Sequence, residues 1–294
     1  MLAAAWLCGL VGCHVDEVLR AGGAAPSAEQ ARSAELAIAQ AAENLRAIET
    51  LESTGVCRIW VERDGRIDEE QLDLLLVYAR PDRIAMRLKV SVSDTLAWLG
   101  SDGTHWWLFL PAESPSVAYR GAVASEVQQE FATDAAPLPP SLRSPRLFRM
   151  LLGLEPPRLP MPPPTWDAER KAWSSAEPLD PEPSNSAGLV RRWYDARGDL
   201  LSVRVEAPDG VGIAESTLSE PTSIECAGRP LGAWPRMATR LRLSRGEPRE
   251  DQAGEVMLTL ERPTARGSRA KPALFEWERL VQSMRPEQIV EVSP

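Results

Sequence analysis

The sequence predicts an α+β fold made mostly of antiparallel β-sheet, and three observations support this prediction. Apolar residues recur at helical spacing near the N-terminus, segments with period-two alternation follow between short polar turns, and one proline-dense stretch interrupts them. Strand-like segments stand on both sides of that interruption, and no second linker divides the chain. Although 294 residues would suit about two average domains, we expect residues 27–294 to form one domain with one continuous sheet.

An apolar run at the N-terminus covers residues 1–11 and is too short to span a bilayer, which takes about 20 helical residues. It leads into Leu10-Val11-Gly12-Cys13. This tetrapeptide resembles the lipobox of bacterial lipoproteins, in which the cysteine thiol receives a diacylglycerol and becomes the mature N-terminus. We therefore predict that residues 1–13 are a lipoprotein signal peptide with Cys13 as the lipid anchor. The alternative is a buried N-terminal segment, because no Lys or Arg precedes the apolar run.

A tether and a helix are predicted next. Residues 14–26 are rich in Gly and Ala, and Ser27 with Gln30 has the spacing of a capping box. Beyond this cap, apolar residues recur every three or four positions through about Thr50, so we expect an amphipathic helix. These residues are Ile38, Ala41, Ala42, Leu45, Ile48 and Leu51.

Six strand-like segments follow, separated by Gly, Ser and Pro turns that favour an antiparallel meander. They cover residues 56–63, 72–79, 83–92, 95–99, 105–110 and 117–120. In the third segment, RIAMRLKVSV, every second residue is a large apolar one, and the residues between them are polar except Ala85. Ile84, Met86, Leu88 and Val90 are therefore expected on one face of the sheet.

The fifth strand, in SDGTHWWLFLP, is apolar on both faces. Trp107 and Phe109 share one face, and Trp106, Leu108 and Leu110 share the other. We expect one face to pack on a helix and the other to border an apolar trough, and we place Trp107 and Phe109 on the trough side. The competing interpretation is a closed core with no cavity.

A proline-dense insertion covers about residues 132–187. From Pro137 to Pro183 proline is too frequent for a continuous helix or a central strand. One helical segment, residues 145–154, stands inside it. Its apolar stripe predicts either a mobile lid over a groove or a helix packed permanently against the core. The stripe consists of Leu147, Phe148, Leu151 and Leu152.

A second set of strands is predicted after the insertion. Residues 189–206 form a hairpin pattern in which Gly198 supplies the positive φ of the turn. Further strands are expected at residues 213–218, 223–226, 237–243 and 256–262. Residues 275–284 fit either a strand or a helix.

Catalytic and metal chemistry find little support in the sequence. Of the two histidines, His14 lies in the predicted tether and His105 follows Asp102 on a turn, which is poor geometry for a catalytic dyad. No known catalytic motif occurs in a credible context, and Cys and His are too scarce for a structural zinc site. We therefore expect no enzyme activity, no metal and no cofactor. A net charge of -9 without a basic run gives no reason to expect nucleic-acid binding.

Cysteine usage fits an oxidising compartment. Removal of the signal peptide and lipidation of Cys13 would leave only Cys57 and Cys226. These two either form a disulfide or remain separate buried thiols, since spacing alone does not bring their Cα atoms within bridging distance.

The order of several short motifs resembles the lipoprotein-carrier superfamily of the Lol type (LolA/LolB-like). After the N-terminal helix come PDRIAMRLKV, SDGTHWWLFLP and YRG, so the match covers roughly residues 36–121. It continues more weakly through SPRLFRMLLGL and AWPRMATRLRL. The resemblance implies a strongly curved, half-open β-barrel with helices over its concave face, and binding of acyl chains from a lipid or a lipidated protein. Residues that distinguish carriers, receptors and sensors cannot be assigned here.

The predicted ligand site is therefore an apolar groove with a helical lid. A dry trough binds hydrocarbon without catalytic residues, because each buried methylene contributes about 0.8 kcal/mol. We expect an anchored lipoprotein of the bacterial envelope, facing the periplasm and held in the outer membrane, with lipid or acylated protein as its partner. The alternative is a filled β-scaffold that acts through protein contacts. The groove residues are Ile84, Met86, Leu88, Val90, Trp107 and Phe109.

Lipidation of Cys13 predicts that Cys13→Ser releases the full chain from the membrane fraction. The substitution removes the only thiol in the lipobox-like tetrapeptide, and the measurement is fractionation of cells followed by immunoblotting. Cys8→Ser is the matched control and should stay with the membranes. Unchanged fractionation of the Cys13 variant would contradict the anchor.

Overall fold

A 14-stranded sheet dominates the computed structural model. In the part of the chain that is described, three α-helices accompany this sheet. None of these helices has the length and apolar character needed to cross a bilayer. The structure describes residues 25–63, 65–90, 95–123, 144–158, 160–179, 188–226, 228–245, 254–265 and 271–292.

The elements follow the predicted order of helix, strands, insertion and strands. The helices are α1 (Ala28–Leu45), α2 (Pro145–Leu151) and α3 (Trp277–Met284). The strands before α2 are β1 (Thr50–Arg63), β2 (Arg66–Ala79), β3 (Arg83–Lys89), β4 (Thr95–Ser101), β5 (His105–Leu110) and β6 (Val117–Ala122). Those after it are β7 (Thr165–Asp167), β8 (Ala172–Pro178), β9 (Leu189–Tyr194), β10 (Leu200–Glu206), β11 (Gly212–Ser223), β12 (Arg236–Arg245), β13 (Val256–Thr264) and β14 (Gln288–Val292).

Two meanders meet at the centre of the sheet. The spatial order is β14-β6-β5-β4-β3-β2-β1-β13-β12-β11-β10-β9-β8-β7, so β1 pairs with β13 and joins the first half of the chain to the second. Every neighbouring pair is antiparallel except β14 with β6, which is parallel. The sheet stays unclosed, with β14 and β7 at its edges. The predicted α+β class and half-open antiparallel barrel are thus confirmed.

Helix α2 demonstrates how strongly the sheet curves. It contacts β3 and β4 on one side and β10 and β11 on the other. Four strands lie between β3 and β11 in the sheet order. In a flat sheet, β3 and β11 would therefore stand about 24 Å apart. A helix is only about 10–12 Å across. The sheet must therefore wrap around α2, and the face that contacts α2 is the concave one.

Helix α1 begins at the predicted capping box and ends earlier than predicted. The Ser27 hydroxyl accepts from the Gln30 backbone N–H at 3.2 Å, and the Gln30 side-chain oxygen accepts from the Ser27 N–H at 2.7 Å. The helix ends at Leu45 and not near Thr50, where β1 already starts. Arg80 stabilises this end because its guanidinium donates to the carbonyls of Leu45 at 3.2 Å and Ile48 at 3.1 Å.

The structure corrects several predicted boundaries. The proline-dense insertion contains two strands, β7 and β8, and the edge position of β7 explains why neighbouring prolines are tolerated. Residues 223–226 do not form a separate strand, because β11 runs unbroken to Ser223. The ambiguous segment at 275–284 is helical from Trp277, and β14 was not predicted at all.

Gly55 makes the central pairing of β1 with β13 possible. It lies opposite Leu260, and a Cβ atom added at Gly55 would stand 1.9 Å from the carbonyl oxygen of Thr259. No side chain fits at that distance, and the obstacle is backbone. The two halves of the sheet therefore approach each other more closely here than any residue but glycine allows.

We expect Gly55→Ala to lower the free energy of unfolding by roughly 2–4 kcal/mol, because the new methyl group must push β1 and β13 apart. Urea denaturation followed by circular dichroism measures the change. Gly232→Ala is the matched control: a Cβ there meets nothing within 4 Å, so its effect should stay within about 0.5 kcal/mol. Equal stability of the two variants would contradict the close approach.

Candidate functional site

The concave face of the sheet carries the largest apolar cluster in the described residues. It combines side chains from both meanders with those of α2, and nearly all of them are buried. Strands β1–β5 contribute Cys57, Ile59, Leu72, Leu74, Leu76, Ile84, Met86, Leu88, Leu99, Leu108 and Leu110. Strands β9–β13 contribute Val190, Val203, Val205, Leu218, Leu241, Leu243, Val256, Leu258 and Leu260.

Helix α2 fills this concave face. Ser144 caps its start by accepting from the Leu147 N–H at 3.1 Å, and Pro145 occupies the first turn. All four residues of the predicted stripe are buried in the cluster, and Met150 on the opposite side of the helix is buried as well. A helix that is apolar around most of its circumference is a core element, so in this structure α2 is packed down.

Three of the predicted groove residues lie where they were expected. Ile84, Met86 and Leu88 of β3 are fully buried in the concave cluster that contains α2. Val90 is not part of the groove: it lies beyond the end of β3 and is 52% exposed. Alternation in the sequence continues past Lys89, but the ladder between β3 and its neighbours stops there.

Trp107 and Phe109 lie on the opposite face from the groove, contrary to the prediction. They belong to a separate convex cluster with α3, in which the rings of Phe109 and Trp277 are 5.0 Å apart. Leu108 and Leu110 are the residues of β5 that face the concave side. Because both faces of β5 are apolar, alternation separates the two sets correctly but does not tell which set faces inward.

Each tryptophan of β5 lies across from a glycine on a neighbouring strand. Gly100 of β4 pairs with Trp107, and Gly121 of β6 pairs with Trp106. A Cβ at Gly100 would be 2.8 Å from the Trp107 ring, and one at Gly121 would be 2.7 Å from the Trp106 indole nitrogen. The glycines thus leave space for the indoles to lie against the backbone.

A small cleft remains between α1, the residues after α2 and strands β9–β12. Its volume is about 50 Å³, room for a few atoms and not for an acyl chain. Apolar residues make up most of its wall, and Glu155, Arg192, Asp199 and Arg236 also line it. The apolar part consists of Ala41, Ala42, Leu45, Leu152, Leu200, Leu218, Met237 and Ala238.

Two arginines that line this cleft form ion pairs, and only the pair of Arg192 is buried. Arg192 of β9 is only 2% exposed, contacts the Glu177 carboxylate and donates to the Glu155 carbonyl at 3.3 Å. Arg236 binds both carboxylate oxygens of Asp199, at 2.8 and 3.0 Å. The hydrogen bonds to Asp199 raise the pKa of Arg236. Sequence analysis missed these groups because their partners come from separate strands without a recognisable spacing.

A third arginine ties α2 to the sheet. Arg149 is the one charged residue in the middle of the apolar helix, and its side chain is 9% exposed. It forms an ion pair with Asp82, in the turn between β2 and β3, at 3.0 Å. Arg146, at the start of the helix, donates to the Leu179 carbonyl at 2.9 Å.

Cys57 and Cys226 are two separate buried thiols in this structure, so the alternative of a disulfide is not realised. Cys57 lies in β1 within the concave cluster, whereas Cys226 follows the end of β11. Burial raises the pKa of the Cys57 thiol, and burial also raises that of Cys226 against the opposing effect of Arg229. Both thiols are therefore poorly reactive.

Asp102 stabilises the turn before β5 through hydrogen bonds. Partial burial would raise its pKa, but hydrogen bonds from His105 and Thr104 outweigh this effect and hold the pKa below its usual value. The backbone N–H groups of Thr104 and His105 donate to it at 2.8 and 2.7 Å. The His105 ring nitrogen is 3.9 Å from the second carboxylate oxygen, too far for a hydrogen bond.

Within the described ranges, no three His, Cys, Asp or Glu residues are grouped as metal ligands.

The predicted signal peptide, Cys13 and nearly all of the tether at 14–26 lie outside the described residues. The same holds for residues 132–143, 159 and 180–187 of the proline-rich insertion. The anchor and the outer parts of the insertion remain predictions.

Comparison with known proteins identifies structural neighbours. No family model and no curated protein matches the chain. A LolA superfamily protein from Nitrosomonas europaea is 10% identical, with a TM-score of 0.47, covering 83% of this chain and 98% of the neighbour. This neighbour carries the name of the superfamily that the sequence resembles.

Two further neighbours are 12% identical, each with a TM-score of 0.42. One is a DUF1329 family protein from Desulfovibrio piger, and the match covers 85% of this chain and 98% of the neighbour. The other is an outer membrane lipoprotein-sorting protein domain from Vibrio parahaemolyticus. The match covers 82% of this chain and 97% of that domain.

The contact between Arg149 and Asp82 predicts a measurable coupling between α2 and the β2–β3 turn. In a double-mutant cycle with Arg149→Met and Asp82→Asn, we expect a coupling free energy of roughly 1 kcal/mol or more, because the arginine is buried. Urea denaturation of the four proteins measures it. The exposed pair Arg279–Glu276 is the control and should give less than about 0.5 kcal/mol. Equal values for both pairs would contradict the assigned contact.

Proposed function

We propose that this protein is a non-catalytic lipoprotein of the bacterial envelope that binds acyl chains, or the acyl chains of a lipidated protein, on its concave face. It would act as a carrier, an acceptor or a sensor. The observation that carries the proposal is the position of α2, a short apolar helix that occupies the centre of an apolar concave sheet.

The first support is chemical similarity between the side chains of α2 and a hydrocarbon ligand. Leu147, Phe148, Met150, Leu151 and Leu152 fill the concave face with apolar volume. Acyl chains of comparable volume would cover the same surface, and each buried methylene contributes about 0.8 kcal/mol. Exchange of the helix for a ligand would therefore leave the sheet covered.

The second support is the limited intrinsic stability of α2. The helix has seven residues, and isolated helices below about 12 residues are marginal in water. Its stability must come from burial and from a few polar contacts, including Arg149 with Asp82 and Arg146 with Leu179. Proline-rich sequence stands on both sides of it, so a shift of α2 need not deform a long regular element.

The third support is the predicted membrane attachment. A lipid on Cys13, followed by a Gly- and Ala-rich tether, would hold the sheet close to a bilayer. Acyl chains are abundant there, and a periplasm-facing position at the outer membrane fits the lipobox resemblance. We include the anchor and this location in the proposal.

One observation favours a second candidate function. The cleft beside α2 measures only about 50 Å³, so the concave face is filled in this structure. A protein that never releases α2 would be a filled β-scaffold of the envelope that acts through protein contacts.

Shortening one buried side chain of α2 distinguishes the two candidate functions. We expect Phe148→Ala to bind a fluorescent fatty-acid ester at least about tenfold more tightly than the wild type. The smaller side chain makes fewer apolar contacts with the sheet, so displacement of α2 by the ligand costs less free energy. Leu280→Ala removes a buried side chain of similar size from the convex cluster and is the matched control, which should lower stability without changing affinity. Fluorescence titration measures affinity, and thermal unfolding verifies folding. If neither the wild type nor Phe148→Ala binds the probe, the filled scaffold is the correct candidate.

A further inference from the structure

We propose that β14 is the contact surface of a homodimer, in which this strand pairs antiparallel with β14 of a second copy about a two-fold axis at Val290. The inference does not depend on acyl binding. It follows from the difference between the two edges of the sheet, from the direction of the free backbone groups of β14 and from the positions of its charges.

The two edges of the sheet differ in their protection against pairing with another chain. Edge strands are commonly kept from such pairing by Pro, by Lys or by very short length. At one edge, β7 has only three residues, and Pro162, Pro163 and Pro164 directly precede it. At the other, β14 has five residues without Pro, Lys or Gly, and exposes Ile289 by 48% and Val290 by 39%. Of these two edges, β14 is therefore the one that offers itself to another strand.

Alternate residues of β14 direct their backbone groups toward β6 and toward the open side. The Gln288 N–H donates to the Ser116 carbonyl, just before β6, at 3.0 Å, and the parallel register continues from there to Val292. Ile289 and Glu291 alternate with the residues that bond to β6, so they turn their N–H and C=O groups outward. Among the described residues, nothing accepts from or donates to these outward groups.

The charges of the strand select one register for pairing between two copies. An axis at Glu291 places the two Glu291 side chains opposite each other, and an axis at Ile289 places Glu291 opposite Glu287 of the second copy. Like charges in directly opposite positions are destabilising. An axis at Val290 instead places Glu291 opposite Ile289 of the second copy, so this register brings no carboxylates together.

The register about Val290 also pairs all of the outward backbone groups. Ile289 of each copy exchanges both N–H···O bonds with Glu291 of the other, and the two Val290 side chains meet in the close, non-hydrogen-bonded position. In the sheet Val290 lies beside Tyr119, which packs on the concave cluster. The two-fold axis closes the assembly at two copies, because β7 is not open to a further strand. An interface of one short strand is small, so we expect a dissociation constant on the order of 10 µM or weaker.

Cysteine cross-linking in cells that express the full chain tests this register. Val290→Cys places two thiols opposite each other at the axis, within bridging distance. Ile289→Cys is the matched control, because Ile289 is the more exposed of the two but its symmetry mate lies two positions along the other strand. That separation exceeds the roughly 7 Å between Cα atoms that a disulfide spans. After oxidation with copper phenanthroline and non-reducing immunoblotting, we expect a band of twice the chain mass that is at least about fivefold stronger for Val290→Cys.

A charge exchange tests the same register through its side chains. In the Val290→Cys background, Ile289→Glu sets a carboxylate opposite Glu291 of the second copy and should lower the cross-linked fraction several fold. Adding Glu291→Lys to this variant places opposite charges at both positions and should restore the cross-link. Val211→Glu, at an equally exposed aliphatic residue in the β10–β11 turn, is the control and should leave the cross-link unchanged. Thermal unfolding verifies that each variant folds.

The outcomes decide between the possible partners of β14. No dimer band from either cysteine variant overturns the homodimer, and a band from Ile289→Cys as strong as that from Val290→Cys overturns the register. A band of another mass that appears only with Val290→Cys identifies a different protein at this edge and also overturns the homodimer. A variant with Ile289→Glu and Glu291→Lys that stays as weak as Ile289→Glu contradicts the assigned pairing of side chains. None of these results bears on acyl binding, which the fatty-acid titration tests separately.

Discussion

The antiparallel pairing of β1 with β13 is the constraint on which the rest of the structure depends. It places the two meanders side by side and so puts β6 near one end of the sheet and β7 at the other. The chain between β6 and β7 must then cross the width of the sheet. Because the sheet is curved and apolar inside, the helix in that crossing segment lies in the hollow. Gly55 makes this possible by letting the two backbones approach.

The concave face then needs an apolar cover at all times, since exposure of so many aliphatic side chains would be costly. In this structure α2 is that cover. A helix of seven residues is stable here only through burial, so whatever else covers the face competes with it directly. On the proposed function, ligand binding would be coupled to the position of α2, because ligand contacts would replace helix contacts.

Two buried arginines contact α2 or the residues that follow it. Arg149 ties α2 to the turn between β2 and β3, and Arg192 stands where the helix leaves the hollow. Both arginines are buried among apolar residues and have carboxylate partners. Buried charges of this kind add little net stability but fix one arrangement of the parts around them. Here the parts are the helix, the first meander and the end of the second.

The sequence by itself determined the α+β class, most of the strands, the cap at Ser27 and the apolar stripe of α2, because alternation and helical spacing are local properties. Only the tertiary structure decided that Trp107 and Phe109 face α3 and that Leu108 and Leu110 face the hollow. Both sets are apolar, so periodicity does not distinguish inside from outside. The strands β7, β8 and β14, the end of β3 before Val90, and the partners of Arg149 and Arg192 likewise depend on residues distant in the chain. No local pattern encodes contacts that arise only when the two meanders meet.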